Sequence, residues 1–208
     1  MPGRKEPEEE RRDAILRAAY VVATRERLGG VTARAVAAEA GVSSGLVFFY
    51  FESIDNLLVA LLDWMLERTI IAPEHDRASA ERELADLDAA PATHLVATVA
   101  AALRRLPRHR DRVELFFDYW VLGTRHPAVR RKIRRALAGY RESYVAGAQA
   151  VIDADPERYA GTSADALADV IASFLYGCSL QLVTNPAQFD ADSMLAALDA
   201  LVRHPVPA

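Results

Sequence analysis

From Thr32 to Leu58 the chain reads TARAVAAEAGVSSGLVFFYFESIDNLL, and its apolar positions recur at helical spacing in three short bursts. Val36, Ala37 and Ala40 form one inward face behind Thr32, whose hydroxyl suits an N-cap because it can accept an orphan backbone N–H. Gly41 ends that helix, since glycine enters the left-handed region without a Cβ clash. Val42 fills the small core between two helices. Ser43 caps a second helix over residues 44–50, anchored by Val47 and by Tyr50 or Phe51. Ser53 caps a third, whose inner face begins at Leu57 and Leu58. A short helix, a tight turn and a second helix form the device that sets a helix into the DNA major groove. A plain helical hairpin inside a bundle has the same spacing.

The remaining periodicity predicts helices throughout. The first runs from near Glu8 to Arg27, with Ile15, Ala19, Val22 and Ala23 inward, and closes at Gly29 and Gly30. The fourth carries Leu61, Leu62 and Met65 and ends before Pro73. Residues 74–90 are polar and acidic and read as a mobile segment. A fifth helix, from Pro91 or Ala92 to Leu106, has the stripe Leu95, Val96, Val99, Ala102 and Leu103. The sixth, Arg108 to Thr124, is aromatic on more than one face through Val113, Phe116, Phe117, Tyr119, Trp120 and Val121. Burial nearly all round is expected of it. Pro127 opens the seventh, with Val129, Ile133, Leu137, Tyr140, Tyr144 and Ala148 inward. Its other face carries Arg130, Arg131, Lys132, Arg134, Arg135 and Arg141 and reads as a solvated basic face. Thr162 or Ser163 caps the eighth, which stops near Thr184 before Pro186. Asp190 or Asp192 opens the ninth, with Met194, Leu195, Leu198 and Leu201 inward. Alternating β-branched runs are missing, so the expected fold class is all-α with about nine helices.

AGVSSGLVFFYFESIDNLL resembles the corresponding stretch of the TetR family of bacterial regulators, whose pattern is close to AGVS-x-G-x-(L/V)-Y-x-(H/Y)-F-x-S-K-x-x-LL. The preceding ILRAAYVVATRERLGGVTARAVAAEA is similar to that family's first two helices. The ending FDADSMLAALDALV resembles the betaine-regulator-like subgroup. The resemblance implies a tail and DNA-binding domain over 1–53, and a helical ligand-binding and dimerisation domain over 54–208. It carries contact with a double-stranded DNA operator to Thr32, Arg34, Ser43, Ser44, Gly45, Leu46, Phe48, Phe49 and Tyr50. Two positions depart from the pattern: Phe48 stands where the family has a phosphate-contacting Tyr, and Ile54 where it has Lys. Both lower the expected affinity and its salt dependence. Leu46, Phe48 and Phe49 are apolar groups suited to thymine methyls, or to packing.

The resemblance also implies a homodimer through the last two helices, with Leu167, Ile171, Leu175, Cys178, Leu182, Leu195 and Leu198 at the interface. A twofold dimer matches half-sites about 34–36 Å apart. A small, largely apolar effector is expected among helices four to eight, with Trp64, Met65, Phe116, Tyr119, Trp120, Tyr144, Phe174 and Gln181 as candidate lining residues. The alternative is a helical small-molecule-binding or adaptor protein that has lost DNA binding.

Charge does not favour DNA. Net charge is −4, and through Ser53 eight bases balance eight acids, with Arg4, Lys5, Arg11 and Arg12 in or near the tail. One cysteine, Cys178, excludes an internal disulfide and fits a reducing cytoplasm. The stretch Val170 to Val183 is shorter than the roughly 20 apolar residues of a membrane span, so no membrane partner is expected. His75, His94, His109, His126 and His204 are scattered, with no i, i+4 metal pair, and no phosphate-binding or nucleophile-elbow motif occurs. The reading is therefore of a non-enzyme without metal or cofactor.

Overall fold

The computed structural model describes residues 8–70 and 90–203. The expected mobile segment at 74–90 lies outside them except for its last residue, as do Arg4, Lys5, Pro73, His75 and His204. Nine α-helices run through the described residues: α1 Glu8–Gly30, α2 Ala33–Ala40, α3 Ser44–Phe51, α4 Ile54–Met65, α5 Pro91–Arg105, α6 Arg110–Gly123, α7 Pro127–Ala154, α8 Ala164–Thr184 and α9 Ala191–Arg203. A π-turn, Leu66–Ile70, follows α4, and a 3₁₀ turn, Leu106–His109, separates α5 from α6 around Pro107.

The helices pack as two compact units. The first takes α1 to α4 with residues 114–135; the second takes α5, residues 106–113 and residues 136–203. The boundary expected at 53/54 divides functions, and the packing units follow the contacts of the helices instead. α4 stays with the reader helices because Leu57, Leu61, Leu62, Trp64 and Met65 are buried there.

In the first unit α1 buries Ile15, Leu16, Ala18, Ala19, Val22 and Ala23. The small alanines let α2 and α4 approach it. Each fully buried Leu, Ile or Val contributes about 1.5–3 kcal/mol. α1 ends at the glycines, as expected. Its hydrogen bonding continues to Gly30 across a kink at Arg27, where φ is 66° and ψ 175°. A non-glycine residue in that region costs about 1–3 kcal/mol and needs outside support. Arg27 finds it in Glu114 at 2.7 Å and Asp118 at 3.8 Å.

In the second unit Leu95, Val99 and Leu103 of α5 meet Tyr144 and Val151 of α7, Ala168, Ile171, Leu175 and Cys178 of α8, and Leu195 of α9. Ser163 caps α8, accepting the Ala166 N–H at 3.1 Å. Asp190 opens α9, its carboxylate accepting the N–H groups of Asp192 and Ser193. Burial pushes the Cys178 thiol up, so it stays a protonated hydrophobe, with Met194 Sδ 3.5 Å away. α8 has 21 residues and is long and apolar enough to cross a membrane by length and composition. Val170–Val183 understates this apolar run, because the helix begins at Ala164 and small residues extend it; a helix packed in a protein's own core passes the same test.

Candidate nucleic-acid interface

Each junction of the reader is closed by its own sequence. Thr32 Oγ1 accepts the Ala35 N–H at 3.1 Å. Gly41, at φ 66° and ψ 32°, donates its N–H to the Ala37 and Ala38 carbonyls. The Val42 N–H returns to Ala37 O at 2.9 Å, completing the stop. Ser43 Oγ accepts the Leu46 N–H at 3.2 Å, and Ser53 Oγ the Asn56 N–H at 3.1 Å. Such caps contribute about 1 kcal/mol each. In helices of eight residues they decide where the ends fall.

α3 buries Val47 and Phe51 one turn apart. Phe51 rather than Tyr50 is therefore the second anchor, and the Arg12 guanidinium lies 5.1 Å over its ring. The opposite side faces solvent: Ser43, Gly45, Phe48 and Phe49 are exposed, while Ser44, Leu46 and Tyr50 are half-buried. Thr32 and Arg34 are exposed on the α2 side. The nine residues expected to touch DNA thus belong to adjoining stretches, and none is in the core. Part of the basic charge on this unit is paired internally. Arg17 pairs with Asp13, Arg25 with Glu26 and Glu39, and Arg27 with Glu114 and Asp118. Arg34 makes no ion pair among the described residues.

α1 and α4 are tied at one point. Trp64 Nε1 donates to Asp13 Oδ1 at 2.7 Å, Arg68 pairs with the same oxygen at 3.1 Å, and its guanidinium lies 5.3 Å over the Trp64 ring. Tyr20 packs on the other ring contact at 5.5 Å. The indole donation, helped by Arg68 and Arg17, holds the Asp13 carboxyl below its usual value against the opposing effect of burial. Lys132 of α7 binds Asp63 of α4 at 2.6 Å.

Arg27 and its partners set up an opposite case. Asp118 Oδ2 is enclosed without a hydrogen-bond donor. Burial pushes this carboxyl up, Arg27 pulls it down and Glu114 adds to the rise. A carboxyl whose folded pKa lies above its unfolded one loses stability as pH rises between the two values. Asp118→Asn removes the desolvated charge and weakens the Arg27 pair at 3.8 Å, so stability near neutrality is expected to change by less than about 1 kcal/mol. It should also flatten the weakly acidic part of the pH profile. Thermal unfolding of both proteins across that range checks this; an unchanged slope would mean the carboxyl is not the source.

The expected effector-lining residues fall in both units. In the first, Trp64, Met65 and Tyr119 are buried, and their polar tips are used internally: Trp64 on Asp13, and Tyr119 OH on Leu58 O at 2.9 Å. Phe116 is half-buried. Trp120 is exposed and stacks on Phe117 at 5.7 Å with planes 9° apart. Val121 is 61% exposed. The all-round burial expected of this helix is thus corrected, because Phe117 and Trp120 cover each other at i, i+3. In the second unit Tyr144 is buried beside Tyr140, the hydroxyls 3.2 Å apart; Phe174 is half-buried and Gln181 exposed. A shallow cleft of about 180 Å³ there is lined by other residues, among them Leu137, Arg141, Asp169 and Tyr176.

The basic face of α7 is only partly free in solvent. Arg130 donates to the Gly123 and Thr124 carbonyls at the end of α6, Lys132 pairs with Asp63, and Arg141 pairs with Asp165, Glu142 and Asp169. Arg131, Arg134 and Arg135 are exposed.

The residues expected at a dimer interface pack within the chain. Ile171, Leu175, Cys178, Leu182 and Leu195 are buried, and Leu167 and Leu198 half-buried, in a single copy. Among the described residues, the uncovered side of α8 is the opposite one. Val170 is 61% and Leu180 49% exposed there, with Ser173 and Gly177 between them at helical spacing. A Cβ added at Gly177 would meet nothing within 4 Å, so the stripe is smooth and open. Sequence reasoning missed this face because α8 is apolar on several sides. The signal was present in the alternation of Val170, Gly177 and Leu180 opposite Ile171, Leu175 and Cys178.

A capped helix-turn-helix with an exposed second helix, set in an all-helical chain, defines a DNA-binding regulator. Residues 15–61 match the bacterial regulatory proteins of the tetR family, and residues 91–206 match the BetI-type transcriptional repressor C-terminal family. The chain belongs to the TetR family of bacterial transcriptional regulators. An HTH-type transcriptional regulator in the dhlA 5' region of Xanthobacter autotrophicus is 30% identical over 172 residues, 79% of this chain and 75% of that protein. A Saccharomonospora viridis transcriptional regulator in complex with choline has the same fold, with TM-score 0.70 and 20% identity over 95% of this chain and 98% of the other. The multidrug binding protein EbrR complexed with imidazole aligns with TM-score 0.63 and 28% identity, over 98% of both chains. The chain is thus a DNA-binding transcription regulator and not an enzyme.

Proposed function

We propose that this regulator is a cytoplasmic repressor that binds a palindromic operator as a homodimer and is released by a small, largely apolar effector. The observation that carries it is the capped, outward-facing α3, together with the Val170–Leu180 side of α8, which is exposed among the described residues. The nine reader residues from Thr32 to Tyr50 are the DNA contacts in this reading. The open stripe of α8 supplies the second copy's contact. For the effector, Phe116 and Trp120, and separately Phe174 and Gln181, keep surface or rim positions suited to ligand contact, whereas Tyr144 is buried. Relatives with bound choline and bound imidazole support small-molecule control as such. An effector acts by its difference in affinity for the DNA-competent and released states.

Selection of genomic DNA with the purified protein, followed by a salt titration on the recovered fragment, tests the reading. A recovered palindrome, bound by two subunits and weakening steeply with salt, is expected. No enrichment at low salt, also from the Phe48→Tyr, Ile54→Lys variant that restores the family's two phosphate contacts, would overturn it in favour of an adaptor.

A further inference from the structure

We propose that α3 reads its operator through thymine methyl groups, with Phe49 and Phe48 as the readers; this rests on the DNA-binding reading above. The whole helix, SGLVFFYF, contains no charged side chain and no amide. It therefore lacks Arg, Lys, Asn and Gln, the groups that read guanine and adenine edges by paired hydrogen bonds. Its hydroxyls are few. Ser43 Oγ already accepts the Leu46 N–H, Ser44 is half-buried, and Tyr50 sits beside the buried seam with its ring 5.3 Å from Phe49.

What the helix does present is apolar. Phe49 is 73% and Phe48 46% exposed. Phe49 lies on the side opposite Val47 and Phe51, one turn after Gly45, which has no side chain to cover it. Two aromatic rings facing water lose their burial energy unless a partner covers them. In the major groove the one apolar base substituent is the thymine C5 methyl. The chemistry therefore selects sites with thymines at the positions under Phe48 and Phe49 in each half-site. Arg34, exposed and unpaired among the described residues, is left to hold the backbone.

The test uses the highest-affinity duplex recovered from genomic DNA, and a copy with uracil in place of thymine in the bases facing α3. Uracil keeps every hydrogen-bonding group and loses only the methyl. At fixed salt, affinity is expected to fall about fourfold for each contacted methyl removed. Phe49→Ala, at an exposed position that does not threaten folding, should weaken the thymine duplex and leave the uracil duplex nearly unchanged, so that the two losses do not add. Specific binding with thymine and uracil duplexes equal, or with fully additive losses, would overturn methyl reading while leaving DNA binding intact. Failure to bind any selected duplex would instead overturn the DNA-binding reading beneath it.

Discussion

A Val170→Arg, Leu180→Arg double variant is expected to sediment as a monomer and to lose operator affinity by about 10²–10⁴-fold. Both side chains are exposed in a single copy, at 61% and 49%, so arginines there meet water and leave the internal core of α8 untouched. Against a second copy the same arginines place like charges on a face that in the parent carries Val170, Ser173, Gly177 and Leu180. The loss in DNA affinity follows from valency. Two linked readers bind the second half-site at high effective concentration, and two separate ones do not. Analytical ultracentrifugation with circular dichroism separates the outcomes. A helical monomer supports the face, and a dimer that persists moves the interface elsewhere. Ile171→Ala is the contrasting control. Ile171 is 5% exposed in the core, and its truncation should lower stability by about 2–5 kcal/mol.

Trp64→Ala should destabilise the first unit by about 3–5 kcal/mol. That is a large part of the roughly 5–15 kcal/mol that holds a domain folded. The indole is 9% exposed, touches Tyr20 of α1, and donates to Asp13. Its removal opens a cavity and also cuts the tie between α1 and α4. DNA affinity should fall with it, because α1 supports α2, and α4 adjoins α3. Trp64→Phe divides the two contributions. It keeps most of the apolar contact, loses the N–H donor, and should cost about 1 kcal/mol. The pH dependence carries a signature. Asp13 is held below its ordinary value of 3.8, so its stabilisation is present above that value and lost as pH falls through the lowered one. The parent should therefore lose more stability than Trp64→Phe in strong acid. Urea unfolding at neutral and acid pH reads this directly, and equal losses would show that the indole donation does not govern Asp13.

Helix ends were the most legible feature of the chain. Thr32, Ser43, Ser53, Ser163 and Asp190 each accept the backbone N–H that their position in the sequence suggested. Gly41 takes the left-handed stop. These bonds span two to four residues, so the sequence contains both partners. The same holds for the inward stripes of α4 and α7, where apolar residues recur at three and four. The kink at Arg27 was not legible. Its positive φ rests on Glu114 and Asp118, nearly ninety residues away.

Local sequence alone determined the all-helical class, the helix-turn-helix and which short helix faces outward. Caps, glycine stops and 3.6-residue periodicity act within one or two turns. Only the tertiary structure decided which sides of the apolar helices are covered. It turned Ile171, Leu175 and Cys178 into core and left Val170 and Leu180 open. It used the polar tips of Trp64 and Tyr119 inside the first unit, and it stacked Trp120 on Phe117 at the surface. A helix apolar on several faces has no periodic signal to rank those faces. Their burial depends on partners distant in the chain.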